Sequence, residues 1–370
     1  MDPLGVEGAG RDDKAVDPQH SSFPLSPAQL GMWFAQHVDP SVPANIAQYI
    51  ELRGDLDVEL LRRASSQAAL ELQSGFVRLV EIDAEPRQLV DPTLDDSLNY
   101  LDLRNEADPR AAALAWMHAD YSAPIDILRD RLIAATVLRL EDDVWFWYER
   151  VHHVVLDGFG AVTFMNRAAE LYTAAVEGTE PSKNLASDLT KVYDIDVAYR
   201  GSTRFEADRE YWASRIDGID GVTTLAGHTA APAARSQIDS TGLSAETMER
   251  LEALRAGTDT TMATIVIAAF AAYLAQMTGR EDVVLSLPVT ARTTAVLRRS
   301  GGMVSNVVPL RLDVAADTTV ETLLARVNAE VSGALRHQRY RHEDIRRDAG
   351  GASGQASFFG PWVNIMLFFG

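Results

Sequence analysis

Residues 151–158 read Val-His-His-Val-Val-Leu-Asp-Gly, and the run before them, residues 144–150, reads Val-Trp-Phe-Trp-Tyr-Glu-Arg. Aromatic and β-branched residues at this density favour a buried β-strand. After Gly158 the apolar residues recur at helical spacing, at Phe159, Val162, Met165 and Ala169. The sequence therefore predicts a strand that passes through a tight Asp-Gly turn into a helix, with both histidines where the strand ends.

The two histidines occupy a place that suits catalysis. A strand end is held rigidly, and a helix that begins beside it offers free N–H groups to developing negative charge. A neutral imidazole, with an ordinary pKa of about 6.5, can accept a proton near neutral pH. His153 is the leading candidate for that role. His152 faces the opposite way in a period-two strand and is interpreted as structural.

Asp157 has two possible roles. It could orient His153 as the third member of a hydrolase-like triad. A carboxylate that is buried here would need a cationic partner. The residues around the motif include no serine that would suggest a nucleophile.

The composition excludes several functions. The chain has 370 residues, no cysteine and a formal net charge of −19. Disulfides and thiolate metal sites are therefore excluded, the histidine spacing predicts no metal site, and nucleic acid is not an expected partner. The longest apolar stretch, residues 262–277, is short for a bilayer span, so no membrane association is expected. A cytoplasmic location is predicted.

The chain is predicted to form two α+β lobes with a cleft between them. Residues 1–22 are interpreted as a flexible leader, and the polar stretch 178–185 marks the boundary between lobes 23–180 and 181–370. A hairpin is predicted around Asp83, and the terminal apolar run 362–369 is predicted to be a strand.

At the His-His stretch the sequence resembles a family. HHVVLDG, residues 152–158, fits the HHxxxDG motif of condensation domains of nonribosomal peptide synthetases. Further stretches resemble the other motifs of that family in the same order: SPAQLGMWFAQ (26–36), FVRLVEIDAEPRQLV (76–90), REYW (209–212), LPVTAR (287–292), GGMVSNVVPLRLDV (301–314) and RHQRYRHEDI (336–345). Residue 291 is alanine where glycine is common, and only one arginine stands in residues 72–78 where the family often has two.

The resemblance implies two chloramphenicol-acetyltransferase-like lobes in a V-shaped pseudo-dimer, with the motif facing a tunnel between them. The glycine-containing loop 301–306 is expected to come from the second lobe. Family members generally continue past residue 370, so the second lobe is expected to be truncated.

The resemblance also implies the reaction. The amine of an acceptor aminoacyl thioester attacks a donor acyl or aminoacyl thioester, both carried on the phosphopantetheine arms of carrier proteins, and an amide forms. No cofactor of the domain's own is implied. The expected partners are donor and acceptor carrier proteins and a downstream adenylation domain, in secondary-metabolite pathways such as siderophore synthesis. Because the motifs begin close to Met1, the donor is expected in trans or as a coenzyme A thioester.

For the site, the resemblance implies that His153 is catalytic, with the Gly158 N–H as a candidate donor to the oxyanion. It implies that Asp157 pairs with Arg292 and, like His152, has a structural role.

Other functions stay open at this stage. An epimerisation domain shares HHxxxDG, but no clear glutamate for it is apparent. A free-standing acyltransferase would use an acyl thioester and a soluble amine or alcohol. A non-catalytic domain that only docks carriers is disfavoured by the intact motif, and a heterocyclising domain is disfavoured because that motif is not replaced by DxxxxD.

Overall fold

The computed structural model describes residues 17–94, 97–219, 221–227, 238–258, 260–350 and 359–366. The chain divides into two compact units. The first unit contains the chain through Ala198 together with the segment Arg292–Val304; the second contains Tyr199–Ala291 and the chain from Ser305. Both combine helices and sheet, so the predicted α+β class is confirmed.

The helices and strands are numbered in chain order. The helices are α1 (Pro18–Ser21), α2 (Pro27–Val38), α3 (Val58–Leu72), α4 (Pro109–Tyr121), α5 (Gly158–Glu177), α6 (Leu189–Arg200), α7 (Thr203–Ile216), α8 (Ala245–Thr258), α9 (Met262–Thr278), α10 (Ala295–Arg298), α11 (Val320–Arg336) and α12 (His342–Asp348). The strands are β1 (Phe23–Pro24), β2 (Asn45–Arg53), β3 (Val77–Ile82), β4 (Glu85–Val90), β5 (Leu98–Asp102), β6 (Ile133–Arg139), β7 (Val144–His152), β8 (Asp282–Val289) and β9 (Asn306–Asp313).

A four-stranded sheet in the order β2-β7-β6-β5 forms the centre of the first unit. β7 is antiparallel to both of its neighbours, with Asn45 opposite His152 on one side and Ile133 opposite Val151 on the other. β5 joins β6 in parallel. The strand that leads to the two histidines is therefore fixed by hydrogen bonds along both edges.

The aromatic residues of β7 supply two cores at once. Trp145 and Trp147 pack with residues of α3 and α5 on one face, whereas Phe146 and Tyr148 pack with α4 on the other. This division follows from the alternation of side chains along a strand. The predicted buried strand is confirmed, and its burial on both faces makes it a rigid support for the turn that follows.

A second sheet of the first unit has the order β1-β4-β3. The predicted hairpin is present, and its turn residues Asp83 and Ala84 have φ values of 53° and 63°. Positive φ at both positions is the geometry of a two-residue type I′ turn. Since neither residue is glycine, pairing of the two strands must offset the backbone strain.

The second unit contains the antiparallel pair β8 and β9. Its core includes Trp212, Leu285 and Val327, from α7, β8 and α11. Of the predicted terminal strand, Trp362 forms an isolated parallel bridge with Ser286. Residues 367–370 lie outside the described residues.

In the described part of the chain, no helix is by itself long and apolar enough to cross a membrane. Only α8 and α9 taken together, bent by 107°, reach the required length and composition.

The boundary between the two units differs from the predicted position near residue 180. The first unit continues into α6, because Leu189 packs in its core and the Leu189 N–H donates to Gln73 Oε1 at 2.9 Å. The polar stretch 178–185 is thus a loop of the first unit. Within the predicted leader, α1 is helical and Arg87 Nη2 donates to the Ser22 carbonyl at 2.7 Å; residues 1–16 lie outside the described residues.

Arg292–Val304 also differs from expectation, because it belongs to the first unit rather than to the second. The Ser187 N–H donates to the Arg299 carbonyl at 3.1 Å. A Cβ atom added at Gly301 would lie 3.0 Å from Leu72 Cβ and 3.1 Å from Ser74 Oγ. A side chain there would press on both of these neighbours, so glycine suits the close packing of this segment within the first unit.

Glu149 is an unusual member of β7, because its carboxyl group is completely buried. Gln48 Nε2 donates to Glu149 Oε2 at 2.8 Å, whereas Oε1 has no hydrogen-bond partner among the described residues. Burial raises the pKa of Glu149 to about 8, although the bond from Gln48 opposes this shift. The folded protein therefore holds a neutral carboxylic acid here at neutral pH.

We predict that Glu149→Gln changes how stability depends on pH. The unfolded chain releases the Glu149 proton near pH 4.5, whereas the folded chain holds it to about 8. The parent should therefore lose stability relative to Glu149→Gln as pH rises across this window, by a total on the order of a few kcal/mol. Urea unfolding at several pH values measures the difference, with exposed Glu85→Gln as the matched control. A difference that stays constant across the window would contradict the burial argument.

Candidate active site

The turn between β7 and α5 is fixed at both of its ends. The His153 N–H donates to the Ala44 carbonyl at 2.8 Å, which continues the pairing with the β2 side. Asp157 is the N-cap of α5, and its Oδ1 accepts the Gly160 N–H at 2.9 Å. The predicted strand, turn and helix are thus present, with His152 as the last residue of the strand.

Asp157 also forms a buried ion pair with Arg292. Arg292 Nη1 lies 2.6 Å from Asp157 Oδ2, and each side chain is 1% exposed. The same oxygen accepts the Val304 N–H at 2.9 Å, while Arg292 Nη2 donates to the Gly302 carbonyl at 3.0 Å. One carboxylate therefore connects the beginning of α5 to both ends of the segment Arg292–Val304.

His152 is buried and its ring is hydrogen-bonded on both sides. The Val154 N–H donates to Nδ1 at 3.2 Å, and Nε2 lies 3.2 Å from Gln36 Oε1. Burial lowers the pKa of His152 to about 4, with further lowering by His153 and Arg150. This imidazole is neutral at physiological pH and has no free nitrogen for chemistry.

His153 has a different environment. It is partly buried, and its Nδ1 makes no hydrogen bond to another of the described residues. Burial lowers the pKa of His153, and the negative charge of Asp157 opposes that shift. The ring is therefore a neutral base near pH 7. Its Nδ1 is buried against its own backbone, which leaves Nε2 as the nitrogen for chemistry.

Glycine suits two positions at the start of α5 for different physical reasons. Gly158 is exposed, a Cβ atom there would meet no atom within 4 Å, and its N–H has no acceptor among the described residues. A Cβ atom at Gly160 would lie 2.4 Å from Leu156 Cδ1. Gly158 therefore leaves an open approach to a free backbone donor, whereas Gly160 is needed for packing.

His152, His153, Asp157 and Gly158 lie on one turn, and the ion pair with Asp157 places Arg292 beside the start of α5 in the same unit. Sequence reasoning missed Gln36, Gly160 and the Val304 N–H. Gly160 stands two residues after the motif, where a second glycine in a helix start signals close packing. A backbone N–H such as that of Val304 leaves no trace in a sequence.

Comparison with known proteins agrees with this geometry. The family model for the condensation domain matches residues 19–368. The isonitrile lipopeptide synthase of Streptomyces coeruleorubidus is 39% identical over 93% of this chain, which spans about a quarter (24%) of that synthase. The starter condensation domain of rhizomide synthetase, solved in complex with C8-CoA and Leu-SNAC, is 34% identical with a TM-score of 0.86, over 94% of this chain and 79% of that chain. The first condensation domain of the calcium-dependent antibiotic synthetase, solved with a substrate analogue, is 32% identical with a TM-score of 0.86, over 94% and 82% of the two chains.

The chain belongs to the condensation-domain family. It is a condensation domain of the nonribosomal peptide synthetase type, an enzyme that forms amide bonds between thioester-bound substrates. Such domains carry no cofactor and act on substrates held by the phosphopantetheine arms of carrier proteins.

We predict that Asp157→Ala destabilises the protein by about 3–5 kcal/mol, because it leaves the Arg292 guanidinium buried without its counter-charge. The Gly160 and Val304 N–H groups would lose their acceptor as well. Adding Arg292→Met should recover part of the loss, since no buried charge then remains.

Urea unfolding measures these changes, and Asp102→Ala is the matched control because its partner Arg104 and Asp102 itself are solvent-accessible. The control should leave the unfolding midpoint nearly unchanged. An Asp157→Ala protein that is as stable as the parent but inactive would instead assign Asp157 a direct catalytic role.

Proposed function

We propose that His153 is the catalytic base of amide formation in this domain. The acceptor amine attacks the carbonyl carbon of the donor thioester, and the nitrogen transfers a proton to the His153 imidazole. As the tetrahedral intermediate collapses, the carbon–sulfur bond breaks and the thiolate of the donor arm takes up that proton. The reaction needs no nucleophile from the protein, because the amine itself attacks.

The observation that carries this proposal is the contrast between two adjacent histidines. Both rings of His152 and His153 are kept neutral by burial. Both ring nitrogens of His152 are hydrogen-bonded, whereas the His153 ring forms no hydrogen bond to another described residue. The His153 Nδ1 is buried and lies against its own backbone, so Nε2 is the nitrogen proposed to take the proton. A neutral imidazole that no other described residue engages, on a turn fixed by β7 and α5, supports the assignment of His153 as the base.

Asp157 is proposed to position the turn rather than to complete a triad. Its oxygens already accept hydrogen bonds from Gly160, Arg292 and Val304. No hydrogen bond joins its carboxylate to the ring of His153 in the described part of the chain, and it acts on that ring through its charge.

The N–H of Gly158 is proposed to donate to the oxygen of the tetrahedral intermediate. It is the first residue of a helix of 20 residues, where free N–H groups and the helix dipole favour negative charge. A preorganised backbone donor of this kind stabilises an oxyanion without reorganisation during the reaction.

We predict that His153→Ala lowers the rate of amide formation by about 100-fold or more, because general base catalysis contributes about 10²–10⁴. The melting temperature should stay close to that of the parent, since the ring is only partly buried and makes no side-chain hydrogen bond. Single-turnover assays with a loaded acceptor carrier measure the rate. The control is His118→Ala, which removes an exposed histidine of α4. A loss of less than about tenfold with a normal control would rule out the base role.

The donor is proposed to be an acyl thioester that arrives from a separate carrier protein or as a coenzyme A thioester. The acceptor is then an aminoacyl thioester on a carrier that works with a downstream adenylation domain, in the cytoplasm. The likeness to a starter condensation domain solved with C8-CoA supports this donor. The likeness to a lipopeptide synthase supports it independently.

We predict that octanoyl coenzyme A gives at least about tenfold more product on a loaded acceptor carrier than an aminoacyl donor does, because an enzyme specific for one donor class discriminates at the transition state. Intact-protein mass spectrometry of the acceptor carrier measures both products. The same incubation with His153→Ala gives the background. Product formed only from the aminoacyl donor would refute the acyl donor while leaving the amide-forming reaction in place.

A further inference from the structure

A short chain of hydrogen bonds leads from α2 to the turn that carries His153. The Val154 N–H donates to His152 Nδ1 at 3.2 Å, and His152 Nε2 lies 3.2 Å from Gln36 Oε1. Gln36 Nε2 in turn donates to the Pro40 carbonyl at 3.1 Å. Gln36 is the last residue of the sequence motif SPAQLGMWFAQ, to which no function has so far been attached.

The two ends of this hydrogen-bond chain determine which group donates and which accepts in each of its bonds. A carbonyl oxygen can only accept, so Gln36 must present its NH₂ group to Pro40 and its oxygen to His152. A backbone N–H can only donate, so His152 Nδ1 must be unprotonated and Nε2 must carry the hydrogen. His152 is therefore held in one neutral tautomer, because a proton on Nδ1 would face the N–H of Val154.

The surroundings of His152 support the same protonation state. Its ring and the Gln36 side chain are both buried, at 1% and 5% exposure. Arg150 and His153 are the titratable groups that act on His152, and both disfavour its protonation. Arg150 is itself held by Asp120, at 2.9 Å.

His153 lies between His152 and Val154, and both of these residues are held by hydrogen bonds. The His152 N–H donates to the Leu132 carbonyl at 2.7 Å, and the Val155 N–H donates to the His152 carbonyl at 3.1 Å. The bond from Val154 to the His152 ring adds a side-chain anchor directly after His153. The direction in which the turn presents His153 therefore depends on where the His152 ring is held.

We propose that Gln36 is a positioning residue for the condensation reaction: it holds the His152 ring in place as the Nε2–H tautomer, and thereby holds the turn in the orientation that presents His153. Gln36 itself contacts none of the reacting atoms. The inference rests on the proposed role of His153 as the base.

The first test is Gln36→Met, which keeps the size of the side chain and removes both hydrogen bonds. The turnover number should fall by about tenfold with little change in the KM for the loaded carrier, since a small misplacement of a catalytic group affects the rate more than binding. The matched control is Gln29→Met, in the same helix, because Gln29 is equally buried and bonds to Gln88 instead of a histidine. It should lower the melting temperature similarly yet preserve turnover. A Gln36→Met enzyme within about twofold of the parent turnover number would overturn the proposal.

The second test is Gln36→Glu. When the glutamic acid is protonated, its side chain can accept from His152 and donate to the Pro40 carbonyl, as Gln36 does. When it is ionised, it has no hydrogen to donate to Pro40. The ratio of variant to parent rate should therefore rise at least about threefold between about pH 8 and about pH 6. If the ratio of variant to parent rate fell on acidification, the added proton would be on the His152 ring. That result would overturn the proposed directions of the hydrogen bonds. A purely structural role for Gln36 predicts no such pH dependence.

A third measurement needs no variant enzyme to fold. Nitrogen-15 NMR of histidine-labelled parent protein should show the His152 ring as the neutral Nε2–H tautomer at pH values near neutrality. An Nδ1–H tautomer would overturn the proposal directly. If His153→Ala stayed active while the His152 tautomer was as expected, the proposed base would fail but the hydrogen-bond chain would stand, so the two outcomes are distinguishable.

Discussion

The buried carboxylate of Asp157 is the interaction on which the site depends. Removing two charges from water costs several kcal/mol per ion, and such a pair is stable only when its remaining hydrogen-bonding groups are satisfied. Here Oδ1 accepts the Gly160 N–H, and Oδ2 accepts both Arg292 Nη1 and the Val304 N–H. These bonds fix the beginning of α5 against the segment Arg292–Val304, which lies far away in sequence. The turn that carries His153 has little freedom as a result.

The same burial determines the chemistry of the two histidines. Desolvation lowers the pKa of each ring, so both are neutral where an acceptor amine must lose a proton. Hydrogen bonds then separate their roles: the nitrogens of His152 are engaged with Val154 and Gln36, while the His153 ring forms no hydrogen bond to another described residue. A single strand end thus supplies one ring that holds the turn and one that is available for proton transfer.

Much of the fold and of the site could be predicted from the sequence. The features that were missed depend on contacts between distant parts of the chain, which leave no local pattern. β7 and α5 have clear periodicities because each buries an apolar face, and their predicted positions are confirmed. β5 was missed because its residues are mostly exposed and its partner β6 lies far along the chain. The pairing of Asp157 with Arg292 was anticipated only through the family resemblance, since no local pattern connects them. The polar stretch after residue 178 was interpreted as the boundary between the lobes, because composition cannot reveal onto which core the next helix, α6, packs.

The most direct measurement of the central claim is an NMR titration of the His153 imidazole in the parent protein, with the resonance assigned by its absence in His153→Ala. Burial lowers the pKa of His153 more than the negative charge of Asp157 raises it. The predicted midpoint is therefore below the ordinary value of 6.5, and the ring is a neutral base at pH 7. A midpoint at or above 6.5 would show that Asp157 or solvent keeps the ring protonated, and it would contradict the account of His153 as a base prepared by burial.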